Sequence, residues 1–328
     1  MEASQTAADP RQTAVIELAR RAGQIVAEVE KVIVGKTEVI RRAVLTLLCD
    51  GHLLLEDIPG VGKTTLAKAL ARSVGGEFRR VQFTPDLLPS DITGASIFNQ
   101  RTSEFDFRPG PVFGNVILVD EINRATPKTQ SALLEAMEEH QVTTDGETRA
   151  LPSPFFVIAT QNTIEMTGTY PLPEAQLDRF FARLSLGYPS RESEIDILLQ
   201  QQFTSPLQAI ENVVSLDDVV ALQRTVREVF VHETIREYIV DLVAATRESS
   251  QLLMGSSPRG SLHVMRASQA RAAMDGVDFV RPGDVKAVLP MVLGHRVLPR
   301  AELRAQGASI EAALERIMQA VPAPVPVS

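Results

Sequence analysis

A few short groups of residues carry the side chains that phosphoryl chemistry needs. Between Pro59 and Thr65 the chain reads PGVGKTT. Gly60 and Gly62 let backbone N–H groups close around phosphate oxygens, and a helix starting there adds a favourable dipole. Lys63 suits the β- and γ-phosphates of a nucleoside triphosphate, and the Thr64 hydroxyl suits Mg²⁺. Pro59, Val61 and Thr65 complete the loop. Asp120 and Glu121 close an apolar run, NVILVDE. An aspartate there can hold Mg²⁺ through water, and the neighbouring glutamate can polarise a water for attack on the γ-phosphate. Asn162 ends another apolar run, and its amide offers donors and an acceptor to both water and phosphate. Arg179 has the fixed charge that phosphoryl transfer draws on, although a surface ion pair with Asp178 is the plainer reading. Arg259 follows a Ser-Pro and would open a helix from which it could reach the γ-phosphate.

These residues need a scaffold that brings distant points of the chain to one edge. Leu53 to Leu70 supplies the first part: an apolar strand, a Pro/Gly turn, then a helix with Leu66, Ala67, Leu70, Ala71 and Val74 on one face. Asp57 stands where the phosphate-loop pattern G-x-x-x-x-G-K-[ST] has its first glycine. Further strands are expected at Val81–Phe83, Asn115–Asp120, Phe155–Thr160 and Phe181–Leu186. Between the third and fourth, Thr126 with Pro127 opens a helix whose buried face is Leu133, Ala136, Met137 and His140. Alternating strand and helix imply a parallel sheet with helices on both faces, hence an α/β domain. Two hairpins interrupt the alternation, one around Ile97-Phe98 and Phe105-Asp106-Phe107, the other turning at Asp145-Gly146. The turn Val32 to Gly35 precedes the first domain helix. Val34 and Gly35 there are placed to pack on a base, or serve only as an apolar connector.

Beyond Tyr188-Pro189 only helical periods remain. They are marked by Ile195, Leu198 and Leu199, by a Ser215-x-x-Asp218 capping box, by Ile235, Ile239, Leu242 and Val243, and by Arg259–Asp275 and Gly283–Leu293. The expected organisation is a tail at 1–12, an α/β domain over 13–188, a helical domain over 189–320 and a Pro-rich tail at 321–328. The chain has 328 residues and a formal net charge of -8, spread over both halves without the basic stripe that nucleic-acid binding leaves. Cys49 is the single cysteine, so no internal disulfide or cysteine-rich metal site can form. No apolar run approaches the roughly 20 residues that span a bilayer, and the polar start is no secretory signal. The expectation is a cytoplasmic protein with neither membrane nor nucleic-acid partners.

The stretches VIVGK, LLLEDIPGVGKTTLAKAL, VQFTPDLLPSDITG, FRPGPVFGNVILVDEINRATPKTQSALLEAMEE, ATQN and YPLPEAQLDRF resemble the MoxR family of AAA+ ATPases. The resemblance runs from about residue 13 to about residue 300. VQFTPDLLPSDITG and GTYPLPEAQLDRF are its most specific parts. It implies ATP and Mg²⁺ as cofactors, an αβα core with an insert in Ile92–Pro111 and a hairpin at Gln141–Arg149, and a helical lid. It also implies a homo-oligomeric ring, usually hexameric, in which Arg179 acts on the neighbour's nucleotide while Arg259 senses its own. Members look like chaperones that remodel or insert metal into client proteins, commonly with a von Willebrand factor A domain partner. A magnesium-chelatase-like motor and an MCM-like helicase are the alternatives.

Overall fold

The computed structural model describes residues 10–162, 168–202, 206–302 and 309–325. They fall into two compact units, residues 25–220 and residues 10–24 with 221–325. The expected tails lie mostly outside the described residues. Pro10–Gln12 instead open the first helix, and 321–325 carry no helix or strand.

In the larger unit, α1 (Pro10–Glu30) contributes its last turns, followed by α2 (Thr37–Leu48) and β1 (Leu53–Glu56). Next come α3 (Lys63–Ser73), β2 (Phe78–Gln82), the short α4 (Pro89–Thr93) and the hairpin β3 (Gly94–Asn99) and β4 (Glu104–Pro109). Then follow β5 (Val116–Asp120), α5 (Pro127–Glu139), the hairpin β6 (Gln141–Thr144) and β7 (Glu147–Ala150), and β8 (Phe156–Gln161). The unit closes with α6 (Glu174–Leu177), β9 (Ala182–Leu184), α7 (Arg191–Gln201) and the start of α8 (Leu216–Glu228).

β2, β5, β8, β1 and β9 form one five-stranded sheet in that order, parallel throughout. Every residue of β5 is buried, as are Leu53–Leu55 of β1 and Phe156–Thr160 of β8. Strands with both faces out of water require cover on both sides, which the connecting helices provide. Leu54, Ile117, Val119, Val157 and Ala159 pack with Leu133, Met137 and Phe180 in this core. Crossovers leave the strand ends of β1, β5 and β8 side by side, and the phosphate loop, Asp120-Glu121 and Asn162 are all at those ends.

α5 starts as expected, with Thr126 at the N-cap and Pro127 in the first turn, but the Thr126 hydroxyl meets Thr129 Oγ1 (3.2 Å) rather than a backbone amide. Its end differs from the sequence expectation. His140 is not on the buried face: it is exposed, caps the helix in the left-handed region (φ 52°), and so turns the chain into β6. Asp145 and Gly146, both at positive φ, make the two-residue hairpin turn between Thr144 and Glu147. On α7, Ile195, Leu198 and Leu199 are exposed rather than buried, so their helical spacing marks no core face within this unit. No helix among the described residues is long and apolar enough to cross a membrane.

The smaller unit is helical, with α9 (Glu233–Glu248), α10 (Pro258–Met274), α11 (Pro282–Leu293) and α12 (Ile310–Ala320). A two-stranded antiparallel pair joins Leu252–Met254 to Leu298–Pro299. Ile235, Ile239, Leu242 and Val243 are the buried stripe of α9, as their spacing predicts. In the larger unit, Ser215 and Asp218 exchange the reciprocal capping-box bonds at the start of α8.

Candidate active site

Strand β1 ends at Glu56, and the chain then turns through Asp57–Gly62 into α3. Gly60 (φ 86°) and Gly62 (φ 97°) lie in the left-handed region that disfavours a side chain, which is why glycine occupies both points. Gly62 is the N-cap residue, so the first N–H groups of α3, without partners inside the helix, face the loop. Lys63, the first helical residue, is buried. Its ammonium donates to the carbonyl oxygens of Asp57 (2.8 Å) and Ile58 (3.1 Å) and to Asn162 Oδ1 (3.2 Å). Burial pushes its pKa down, while Asp57, Asp120 and Glu121 pull it up.

The Asn162 amide bridges two charges. While Oδ1 accepts from Lys63, Nδ2 donates to Glu121 Oε1 at 3.2 Å. The other Glu121 oxygen accepts from Gln82 Nε2 (2.9 Å) and Arg124 Nη1 (2.9 Å). The Glu121 backbone N–H donates to Thr160 Oγ1 (3.0 Å), and its φ of 56° is left-handed, unusual for a residue with a long side chain. The adjoining Asp120 is buried; Thr160 Oγ1 donates to its Oδ1 (3.2 Å), and Arg80 Nε to its Oδ2 (2.7 Å).

Lys63, Asp120, Glu121 and Asn162, predicted from separate motifs, are thus one connected cluster. Arg80, Gln82, Arg124 and Thr160 were not predicted. Gln82 pairs in register with Asp120, but only the strand order reveals that β2 neighbours β5. Thr160 had a signal, since it lies on β8 two residues before Asn162, which follows the strand's end.

A pocket of about 210 Å³ opens beside the loop. Val34, Gly60, Val61, Gly62 and Thr65 line it, with Ile33, Lys36, Gly187 and Pro189. Gly35 and Pro59 are not among its lining residues; a Cβ on Gly35, at φ 73°, would run into Ser193 Oγ. The apolar turn therefore does form a wall of the pocket, and Lys36 Nζ holds it to the Tyr188 carbonyl oxygen at 2.7 Å.

Thr64 is half-buried in the first turn of α3. Its hydroxyl and the buried Asp120 carboxylate are hard oxygen donors, the type Mg²⁺ takes, and this ion needs only one or two protein ligands beside waters and phosphates. Among the described residues no group of three or more His, Cys, Asp or Glu side chains forms a cage for another metal.

The two arginines are placed differently. Arg179, just after α6, pairs with Glu138 of α5 (Nε–Oε2 3.1 Å). Arg259 belongs to the smaller unit, in the first turn of α10, one turn before His263. Burial, with the charges of Arg296, Arg259 and Arg266, holds the His263 pKa down to about 3. Its neutral ring accepts at Nδ1 from Arg296 Nη2 (2.6 Å).

Residues 52–182 match the family described as "ATPase family associated with various cellular activities (AAA)", and residues 244–317 match the AAA lid domain. Among curated proteins, the chain is 50% identical to "Uncharacterized protein YeaC" of Bacillus subtilis, over 92% of this chain and 95% of that one. It is 45% identical to "Chaperone MoxR1" of Mycobacterium tuberculosis (90% and 81%) and 31% identical to "Protein MoxR" of Paracoccus denitrificans (89% and 93%). A crystal structure from Cytophaga hutchinsonii, described as that of "a putative ATPase", superposes with a TM-score of 0.88 at 38% identity, covering 95% of this chain and 98% of that one.

Proposed function

Because this chain belongs to the MoxR family of AAA+ ATPases, we propose that it binds ATP between the Val32–Gly35 turn and the phosphate loop and hydrolyses it. The observation that carries the reading is the Lys63–Asn162–Glu121 bridge. It links the group that meets the phosphates to the group that activates water through an amide able to serve both.

In this reading the N–H groups of the loop and the Lys63 ammonium take up the phosphate charge. Lys63 keeps the Asp57 carbonyl oxygen and turns its remaining donors to phosphate oxygens, stronger partners for an ammonium. Glu121 accepts a proton from the attacking water, and Asn162 orients that water along the line of attack. Gln82 and Arg124 hold the Glu121 carboxylate at rest. Thr64 and Asp120 would hold Mg²⁺, which when bound neutralises charge building on the phosphates. Arg179 would complete the site of the next subunit in a homo-oligomeric ring, a hexamer by family precedent. Arg259, in α10 of the lid, would answer the γ-phosphate of its own subunit.

The output we propose is chaperone-like remodelling of client proteins, or metal insertion into them, in the cytoplasm with a von Willebrand factor A domain partner. Support comes from the family and from the relative named a chaperone. Turnover of the purified chain with ATP and Mg²⁺ tests the catalytic part. Lys63→Ala should bind no ATP, whereas Glu121→Gln should bind it and lose roughly two or more orders of magnitude in rate. Glu121→Gln turning over near the wild-type rate would remove the catalytic assignment. The same variant, holding ATP, is the bait for clients and the partner.

A further inference from the structure

Asp57 stands where phosphate loops ordinarily carry glycine, and its side chain has partners that glycine cannot have. It is buried, and Oδ2 accepts from the backbone N–H groups of Leu186 and Gly187 (3.0 Å to the latter) and from Ser185 Oγ (3.2 Å). These three residues leave the end of β9, and Gly187 is a wall of the pocket beside the phosphate loop. The main-chain oxygen of the same Asp57 accepts from Lys63 Nζ at 2.8 Å. One residue is therefore joined through its backbone to the ammonium that meets phosphate, and through its side chain to the pocket wall. Bonds from N–H groups to a carboxylate are short and strong, and a buried carboxylate stripped of them is costly. The two attachments therefore fix each other.

We propose that Asp57 is a positioning residue that sets the spacing between the base pocket and the phosphate loop, so that one nucleotide engages both. This rests on the site being an ATP site. Two subsites held at the right separation bind a ligand spanning them much better than either binds its own part. Loosening the separation removes that gain while leaving each subsite's own contacts intact. Glycine at 57 would free the wall from the loop. Asparagine would keep an oxygen for the Leu186 and Gly187 N–H groups.

Calorimetric titration of the full chain with ATP and with inorganic triphosphate, which has no base, tests this. Wild type that binds no ATP refutes the reading of the site itself. If wild type binds ATP, Asp57→Gly should raise the ATP Kd at least about tenfold, since it removes all three Oδ2 bonds and one charge-assisted bond alone is worth that much. The Kd for triphosphate should stay within about twofold, because that ligand touches only the loop. Asp57→Asn should recover most of the ATP affinity. Equal losses for both ligands, no loss for either, or an asparagine variant as weak as the glycine one would each overturn the proposal. Should the glycine variant not fold, Asp57→Ser, too short to hold Gly187, makes the same comparison.

Discussion

Replacing Asn162 by alanine separates binding from chemistry more cleanly than any other change at the site. The substitution deletes two hydrogen bonds, one from Lys63 and one to Glu121. Lys63 keeps the Asp57 and Ile58 carbonyl oxygens, so the loop stays formed and ATP should bind with little loss. Glu121 keeps Gln82 and Arg124, so the carboxylate stays near its place. What disappears is the group that can hold water and γ-phosphate together. A hydrogen bond to a charged group is worth about 1.5–3 kcal/mol, and both bonds are long at 3.2 Å, so the lower figure applies to each. If both are expressed in the transition state, the barrier rises by about 3 kcal/mol and turnover falls about a hundredfold. Phosphate release at saturating ATP gives the rate, and titration with a slowly hydrolysed analogue gives the affinity. A rate within about threefold of wild type, or a loss found wholly in affinity, would refute the role given to the amide.

Mixing Arg179→Ala with Lys63→Ala protein should restore turnover above either parent, since an intact Arg179 on a Lys63→Ala subunit can serve its neighbour's nucleotide. Turnover assays with subunit exchange confirmed would show it, and no recovery would place Arg179 in cis. Mixing Arg259→Ala with Lys63→Ala should give no recovery, because both lesions fall on the nucleotide's own subunit. His52 supplies a pH prediction. Its neutral ring is buried between the Met137 carbonyl oxygen (3.0 Å) and the Val157 N–H (3.1 Å), and burial first, then His140, holds its pKa down to about 4. The unfolded chain, titrating near 6.5, binds the extra proton first, so this contribution is complete above pH 6.5 and is lost as pH falls to 4. The window corresponds to about 3 kcal/mol. Denaturant unfolding of wild type and His52→Asn from pH 7 to 4.5 should show the variant less acid-sensitive, and equal slopes would sink the assignment.

Much of the site was legible because its residue types are tied to backbone events. A glycine pair before a lysine marks a loop needing positive φ, and acids at the end of an unbroken apolar run mark the edge of a buried parallel strand. The strand order, β2-β5-β8-β1-β9, is what a linear reading lacks. Arg80 and Gln82 meet Asp120 and Glu121 only because β2 lies beside β5. Asp57 was visible as a departure from a pattern, but its partners follow the end of β9, which only the strand order places beside β1. His140 misled because helical spacing continues through a C-cap, while the left-handed turn there takes the residue off the helix's buried face and leaves it exposed. The spacing on α7 likewise identifies a helix without saying what covers Ile195, Leu198 and Leu199.

Glu121 sits with φ at 56°, a conformation that glycine and asparagine adopt with less strain. Non-glycine residues held there cost of order 1–3 kcal/mol and persist where surrounding contacts over-determine them. Selection for heat resistance alone would accordingly drift towards glycine or asparagine at this one position. In the function proposed above, the work of activating water accounts for a glutamate held there against its own backbone preference. It also marks position 121 as one to keep fixed when the chain is engineered for stability.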